Sequence, residues 1–359
     1  ARFGADRALI EALPKLAVIA SFGVGVDAID LDAARERGVA VSNTPDVLTG
    51  CVADLAFGLL IDVARRLTAA DRFVRRGDWR KGQFPLARRV WGGNLGIVGL
   101  GRIGEAVARR AGGFDMTVRY HNRRIIENCR YDYEASLPAL AAWADFLLVA
   151  CAGGAATRHL VSREVIDALG PDGFLVNVSR GSVVDDQALV EALQAGRIAG
   201  AALDVFPQEP PDFSAPIFKH PNVIFTPHLG ASTGEAQEKV AEMIAKQMVS
   251  YLLEGVIINA VNFPSIPMET MAKLRLHLDL AERMGSMVGQ MIRQPCDMNI
   301  TYSGYVTEFD TRVLTHAALT TCQRERKHTS QFSITGTGSR PGGGPCRRSP
   351  RRSAWWSRP

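Results

Sequence analysis

At 359 residues, with 47% hydrophobic and 22% charged side chains, the chain has the make-up of an ordinary folded protein and length enough for two cores. No apolar run reaches the roughly 20 residues that a membrane span needs, and the opening Ala1-Arg2-Phe3-Gly4 has neither a signal-peptide pattern nor an initiator Met, so the chain is read as a fragment or a processed form. The net charge of +5 is uneven: nine of the 42 basic but one of the 37 acidic side chains fall from Cys322 onward, leaving 33 and 36 before it. The basic character therefore belongs to the tail and gives the folded body no claim on nucleic acid.

Short apolar runs alternate with amphipathic stretches, which predicts an α/β fold with parallel strands. Residues 16–21 (LAVIAS) read as a strand ending in the turn Phe22-Gly23-Val24-Gly25, and 39–42 (VAVS) as another. From 52 to 66, Leu55, Leu59, Leu60 and Val63 recur at helical spacing. After Gly92-Gly93, strands are expected at 95–98, 116–120, 146–149, 174–178, 201–204 and 223–226, with helical stretches between them, the pattern of a doubly wound sheet. Helices over 232–253 and 268–291 and a strand over 298–302 follow, with a boundary at 262–267. From Gly336 on, Gly, Pro, Ser and Arg dominate without periodicity, so disorder is expected. A basic arm for nucleic acid and a shifted reading frame are the alternatives for that tail. The six cysteines form no C-x-x-C pair and lie near no histidine at ligand spacing, so they read as reduced thiols, with no metal site.

Gly99-Leu100-Gly101-Arg102-Ile103-Gly104 fits G-x-G-x-x-G. The pattern alone is weak, but here it follows a strand and opens a helix expected over 105–110. Gly99 permits the sharp turn, Gly101 leaves room for a pyrophosphate, and Gly104 lets helix and strand pack closely. The helix N-terminus then offers unpaired N–H groups to phosphate. At the end of the second strand a carboxylate would accept hydrogen bonds from the adenosine ribose, favouring NAD. Asn122-Arg123-Arg124 stands there instead. Nothing repels a 2′-phosphate, and two guanidinium groups can pair with one. NADP(H) is therefore preferred, with NAD(H) possible.

Arg180, Asp204, Glu209 and His228 each follow one of three successive strands, at the edge where open α/β sheets bind ligands. They suit hydride transfer to a 2-keto acid. A guanidinium, Arg180, binds the substrate carboxylate and polarises the carbonyl. An imidazole, His228, exchanges the proton at the carbonyl oxygen. A carboxylate, Glu209, favours the protonated imidazole and fixes its tautomer. Asp204 is assigned to the nicotinamide carboxamide, and the N–H groups of Val24 and Gly25 to the substrate carboxylate.

These residues lie in blocks that resemble the D-isomer-specific 2-hydroxyacid dehydrogenases: 22–27 (FGVGVD), 96–104 (GIVGLGRIG), 177–185 (NVSRGSVVD), 202–210 (ALDVFPQEP) and 226–233 (TPHLGAST). The resemblance implies an Arg-Glu-His trio on Arg180, Glu209 and His228, and it adds Arg102, Ile103, Cys151, Ser179, His228 and Gly230 to the dinucleotide contacts. It also implies a homodimer or larger assembly with a cleft between domains; the cytoplasmic location is expected from the reduced thiols. Up to about residue 206 the likeness is to glyoxylate/hydroxypyruvate reductases; from about 222 to 319 it is to phosphoglycerate dehydrogenases.

The expected architecture is thus a Rossmann domain over 71–258, inserted in a flavodoxin-like substrate domain of which 1–70 supplies a part lacking its N-terminal strands. An incomplete extra domain over 259–321 and a basic tail over 322–359 complete it. The expected reaction is reduction of glyoxylate or hydroxypyruvate, with no membrane partner. A 3-phosphoglycerate dehydrogenase is the first alternative, and an inactive truncated product or a dinucleotide-sensing binding protein the second.

Overall fold

The computed structural model describes residues 4–254, 256–262, 268–292, 298–309, 311–325 and 334–338. The boundary expected at 262–267 and the disorder expected from Gly336 fall largely outside them, on 263–267 and 339–359.

The chain opens with helix α1 (Arg7–Ala12), strand β1 (Val18–Ala20), helix α2 (Leu31–Glu36) and strand β2 (Ala40–Ser42). The long apolar helix follows as α3 (Thr49–Arg65). Arg66 then takes a left-handed φ of 57°, which ends α3 and starts a second helix, α4 (Leu67–Arg75), that the apolar spacing did not announce. From there strands and helices alternate: β3 (Asn94–Val98), α5 (Arg102–Gly112), β4 (Thr117–His121), β5 (Asp132–Tyr133), α6 (Leu137–Trp143) and β6 (Phe146–Val149). Next come α7 (Arg163–Leu169), β7 (Phe174–Asn177), α8 (Asp186–Gln194), β8 (Gly200–Leu203), β9 (Val223–Phe225) and α9 (Gly234–Glu254). The chain continues with α10 (Met268–Met291), β10 (Met298–Tyr302), α11 (Arg312–Glu325) and β11 (Ile334–Gly338).

Contacts divide the chain into two compact units, one of residues 1–9, 21–30 and 43–245, the other of 10–20, 31–42 and 246–359. In the first, seven parallel strands run in the order β5-β4-β3-β6-β7-β8-β9. The order reverses between β3 and β6, which is where an open α/β sheet leaves a crevice at its carboxyl edge. Strands β6, β7 and β8 are buried along their whole length, which is why they read as unbroken apolar runs. Alternate residues feed opposite faces. Phe146 and Leu148 join a core with Leu60, Ala106 and Val107 of α3 and α5, while Leu147 and Val149 join one with Leu140, Ile166 and Leu189 of α6, α7 and α8. Ser136 caps α6 and Asp185 caps α8, each accepting from the backbone N–H three residues on.

In the second unit β1 and β2 pair in parallel, Val18 with Ala40 and Ala20 with Ser42. Asn262 clips β2 from both sides, accepting from Val41 N at 2.8 Å and donating to Val39 O at 2.8 Å. Helices α10 and α11 share a small core of Leu274, Leu278, Val313 and Leu314, and β10 pairs with β11.

Candidate active site

The glycine loop lies between β3 and α5 and shows three distinct uses of glycine. Gly99 has φ 98°, and a Cβ there would sit 2.5 Å from the backbone of Cys151. A Cβ on Gly104 would collide with the carbonyl oxygen of Gly99. A Cβ on Gly101 would meet nothing within 4 Å. The first two glycines are therefore demanded by packing, whereas Gly101 faces open space. Helix α5 begins at Arg102, three residues earlier than the sequence spacing suggested, so Arg102, Ile103 and Gly104 form its first turn. No side chain caps that end, which leaves its N–H groups for a ligand. An open floor under an uncapped, positively polarised helix end fits the pyrophosphate of a dinucleotide.

At the end of β4, Asn122 turns back onto this loop: its Oδ1 accepts from Leu100 N at 2.8 Å. It acts as a clamp on the glycine turn, a contact the sequence reading did not foresee. Arg123 and Arg124 point to solvent, and among the described residues neither has an ion-pair or hydrogen-bond partner. Arg102 is engaged with Asp46, Nε to Oδ1 2.6 Å, in an exposed pair. The partly buried Cys151 receives the Ser179 hydroxyl on its carbonyl at 2.5 Å, and burial pushes its thiol pKa up, so it stays protonated at neutral pH.

The three strands β7, β8 and β9 are neighbours, so the residues after them share one edge of the sheet. At the end of β7, buried Asn177 ties down the following turn by accepting from Ser179 N and donating to Arg180 O, both at 3.0 Å. Gly181 lies so close to the backbone of Phe206 and Pro207 that no side chain fits, which joins the Arg180 turn to the segment carrying Glu209. Glu209 is held by Phe206 N on Oε1 at 3.1 Å, and its Oε2 meets His228 Nδ1 at 2.7 Å. Both side chains are a little under two-fifths exposed, open to a ligand yet anchored.

His228 has a φ of 56°, a left-handed conformation that a non-glycine residue adopts only when its surroundings impose it. Asp204 imposes it. Only 1% exposed, Asp204 accepts from Thr226 Oγ1 at 2.6 Å, Leu229 N at 2.7 Å and Gly230 N at 3.0 Å, while its carbonyl accepts from His228 N at 2.9 Å. Its carboxylate thus holds the histidine turn from beneath.

The turn at Phe22–Gly25 lies in the same unit and reaches Arg180. A Cβ on Gly25 would overlap Nη2 of the guanidinium. Gly23 is fixed to Thr44 by a pair of hydrogen bonds, and Val24 O accepts from Asn43 at 2.8 Å. The N–H groups of Val24 and Gly25 have no acceptor among the described residues. The sequence reading passed over Asp27, whose Oδ2 lies 2.6 Å from Arg180 Nε, and Asn177. Asn177 left a signal, an amide closing the otherwise apolar run FLVN.

An uncapped dinucleotide loop, an Arg turn and a carboxylate–imidazole pair on one sheet edge define a nicotinamide-dependent oxidoreductase. Residues 57–230 match the family described as "D-isomer specific 2-hydroxyacid dehydrogenase, NAD binding domain", and 273–330 match the "D-3-phosphoglycerate dehydrogenase intervening domain". Hydroxyphenylpyruvate reductase of Plectranthus scutellarioides is 47% identical, over 69% of this chain and 79% of that protein. D-3-phosphoglycerate dehydrogenase of Methanocaldococcus jannaschii is 37% identical over 87% of this chain, which spans 60% of that longer protein. Among solved structures, an NADPH-dependent glyoxylate/hydroxypyruvate reductase of Sinorhizobium meliloti, bound to NADP and malonate, superposes with a TM-score of 0.69 at 40% identity. That alignment covers 72% of this chain and 81% of the other. The chain belongs to the D-isomer-specific 2-hydroxyacid dehydrogenase family and is an NAD(P)-dependent oxidoreductase. Among the described residues no helix is long and apolar enough to cross a membrane.

Proposed function

We propose that the chain reduces a small 2-oxo acid, glyoxylate to glycolate or hydroxypyruvate to D-glycerate, with NADPH preferred over NADH. The observation that carries this reading is the 2.7 Å contact between Glu209 and His228, on the same sheet edge as the turn that bears Arg180. When bound, the nicotinamide ring supplies the hydride. Arg180 holds the substrate carboxylate and draws electron density from the keto oxygen. The Glu209 carboxylate accepts from Nδ1 of His228, which leaves Nε2 to deliver a proton to that oxygen. Asp204 keeps the imidazole turn in its strained conformation, and Val24 and Gly25 offer their N–H groups to the substrate carboxylate. Gly99, Gly101, Arg102, Ile103, Gly104, Cys151, Ser179 and Gly230 line the path of the dinucleotide. The two unpartnered guanidiniums of Arg123 and Arg124 favour a 2′-phosphate, and the Sinorhizobium relative is an NADPH enzyme.

In this reading residues 71–258 are the dinucleotide-binding domain, 1–70 belong to the substrate domain and 259–321 to an additional one. The protein acts in the cytoplasm as a homodimer, without nucleic acid. Steady-state assays with NADPH and either keto acid test the reaction. Arg180→Ala and His228→Ala should each lose about 100- to 10,000-fold in kcat while dinucleotide affinity holds. Undiminished turnover in both variants removes the trio from the mechanism.

A second reading, oxidation of 3-phosphoglycerate, draws support from the match of 273–330 and from the Methanocaldococcus relative. Parallel assays of hydroxypyruvate and 3-phosphoglycerate choose between them, because only the latter needs a second cationic group for its phosphate.

A further inference from the structure

We propose that Asp27 is a positioning residue for Arg180, one that aims the guanidinium at the substrate carboxylate. The inference rests on Arg180 being the substrate-binding arginine. Four contacts hold this side chain. Asp27 Oδ2 accepts from Nε at 2.6 Å. The carbonyl of Ser179 accepts from Nη1 at 2.7 Å. Gly25 lies flat against Nη2, and Gly153 lies flat against the stem, where a Cβ would fall 2.5 Å from Cγ and 3.2 Å from Asp27 Oδ1. The two glycines thus open a slot that the arginine fills, and Asp27 closes it at the Nε end.

The arithmetic of donors gives the slot its purpose. A guanidinium has five N–H groups in a rigid fork. Asp27 takes the one on Nε and Ser179 takes one on Nη1. The remaining three point from the Nη atoms, beside the unpaired N–H groups of Val24 and Gly25, and together these face an anion. Without Asp27 the same fork turns about its long stem, and its free edge no longer has one direction. The carboxylate also offsets the cation, so affinity for the substrate comes from aimed hydrogen bonds rather than from surplus charge. An exposed ion pair of ordinary kind would contribute almost nothing. This one is about one-third exposed, packed between two glycines, and adjacent to the reacting end of the site.

The test uses the full chain with glyoxylate and NADPH, in four variants: Asp27→Ala, Asp27→Asn, Arg180→Ala and the Asp27→Ala/Arg180→Ala double. Asp27→Ala should lower kcat/KM by about 10- to 100-fold, the cost of a misaimed group. Asp27→Asn should restore most of it, because the amide oxygen still accepts from Nε. NADPH affinity, read from its fluorescence, should stay within about twofold in every variant, and the double should be no worse than Arg180→Ala alone. Asp27→Ala with native kcat/KM, or a further equal loss in the Arg180→Ala background, overturns the inference. So does loss of NADPH binding in Asp27→Ala, which would mark a folding role. Native turnover in Arg180→Ala is a separate outcome: it removes the premise that this arginine binds substrate.

Discussion

Single residues in this chain divide into those whose chemistry is visible in the sequence and those whose role comes from a neighbour. Arg180, Glu209 and His228 belong to the first group, because each follows a strand and carries a reactive side chain where strand ends converge. Asp27, Asn177 and Asn122 belong to the second. Asp27 lies 153 positions from the arginine it holds, and no local spacing can report such a pairing. Asn122 shows the opposite difficulty. It stands where a ribose-binding side chain is expected, yet its amide turns inward to Leu100, because the glycine turn leaves a backbone N–H that must be satisfied. That leaves Arg123 and Arg124 to discriminate between dinucleotides. A charge-assisted hydrogen bond contributes about 1.5–3 kcal/mol, roughly a tenfold effect or more per lost guanidinium. Arg123→Ala/Arg124→Ala should therefore raise KM for NADPH by about 100-fold or more and leave KM for NADH nearly unchanged. Equal KM values for NADPH before and after the change would locate the 2′-phosphate elsewhere.

At the scale of elements, the β3–α5 junction separates glycines kept by the fold from one kept by the ligand. Gly101→Ala places a methyl in open space, so its melting temperature should match that of the native chain. Dinucleotide affinity should nevertheless fall at least about tenfold, because that space is where the pyrophosphate backbone would lie. Gly99→Ala should do the reverse of a clean binding defect. Its φ of 98° alone costs of order 1–3 kcal/mol for a side-chain-bearing residue, and its Cβ meets Cys151 at 2.5 Å, so the fold weakens before binding is measured. Thermal melts and dinucleotide titrations of the two variants check this; a destabilised Gly101→Ala would show that the loop packs against protein there.

Helix α8 offers a second test. Partial desolvation, with neighbouring Asp185, holds the Asp186 carboxyl above the usual range, although the residue is exposed on the first turn of α8. The folded state therefore binds a proton more readily than the unfolded one, and stability falls as pH rises from the unfolded pKa through the folded one. Relative to the native chain, Asp186→Asn should gain a little melting temperature as pH rises from ~4, the usual Asp value, to neutral, the gain being small because the side chain is exposed. Strands β6, β7 and β8 were legible for a simple reason: parallel strands buried on both faces are apolar throughout, whereas the short, half-exposed edge strand β5 leaves no such run. Helix α4 has Leu67, Ala70 and Val74 at helical spacing but buries none of its residues, and it follows α3 directly, so the break at left-handed Arg66, which no glycine or proline marks, hides it.

For the whole molecule, the notable feature is that two compact units are assembled from interleaved stretches of chain. The first unit gathers 1–9, 21–30 and 43–245, so the turn at Phe22–Gly25 and the sheet edge bearing His228 are built into one body, although more than 200 residues separate them. Hydrophobic periodicity reports which face of an element is buried but not which distant segment covers it, so this division is the part of the fold least legible in sequence. It has a thermodynamic consequence. A ligand that binds only the native state stabilises whatever unfolds with its site, by about 2.7 kcal/mol at a hundred times its dissociation constant. The residues proposed to hold the dinucleotide all fall in the first unit, whereas Leu274, Leu278, Val313 and Leu314 form a separate core in the second. Saturating NADPH should therefore slow amide hydrogen exchange by about 100-fold, the kinetic image of that energy, in the slowest-exchanging strands β3, β6 and β7. Amides of α10 and α11 should exchange at the same rate with and without it, because their opening need not disturb the site. If protection rises equally in both, the two cores open as one cooperative body. If it rises in neither, the uncapped end of α5 does not receive the cofactor.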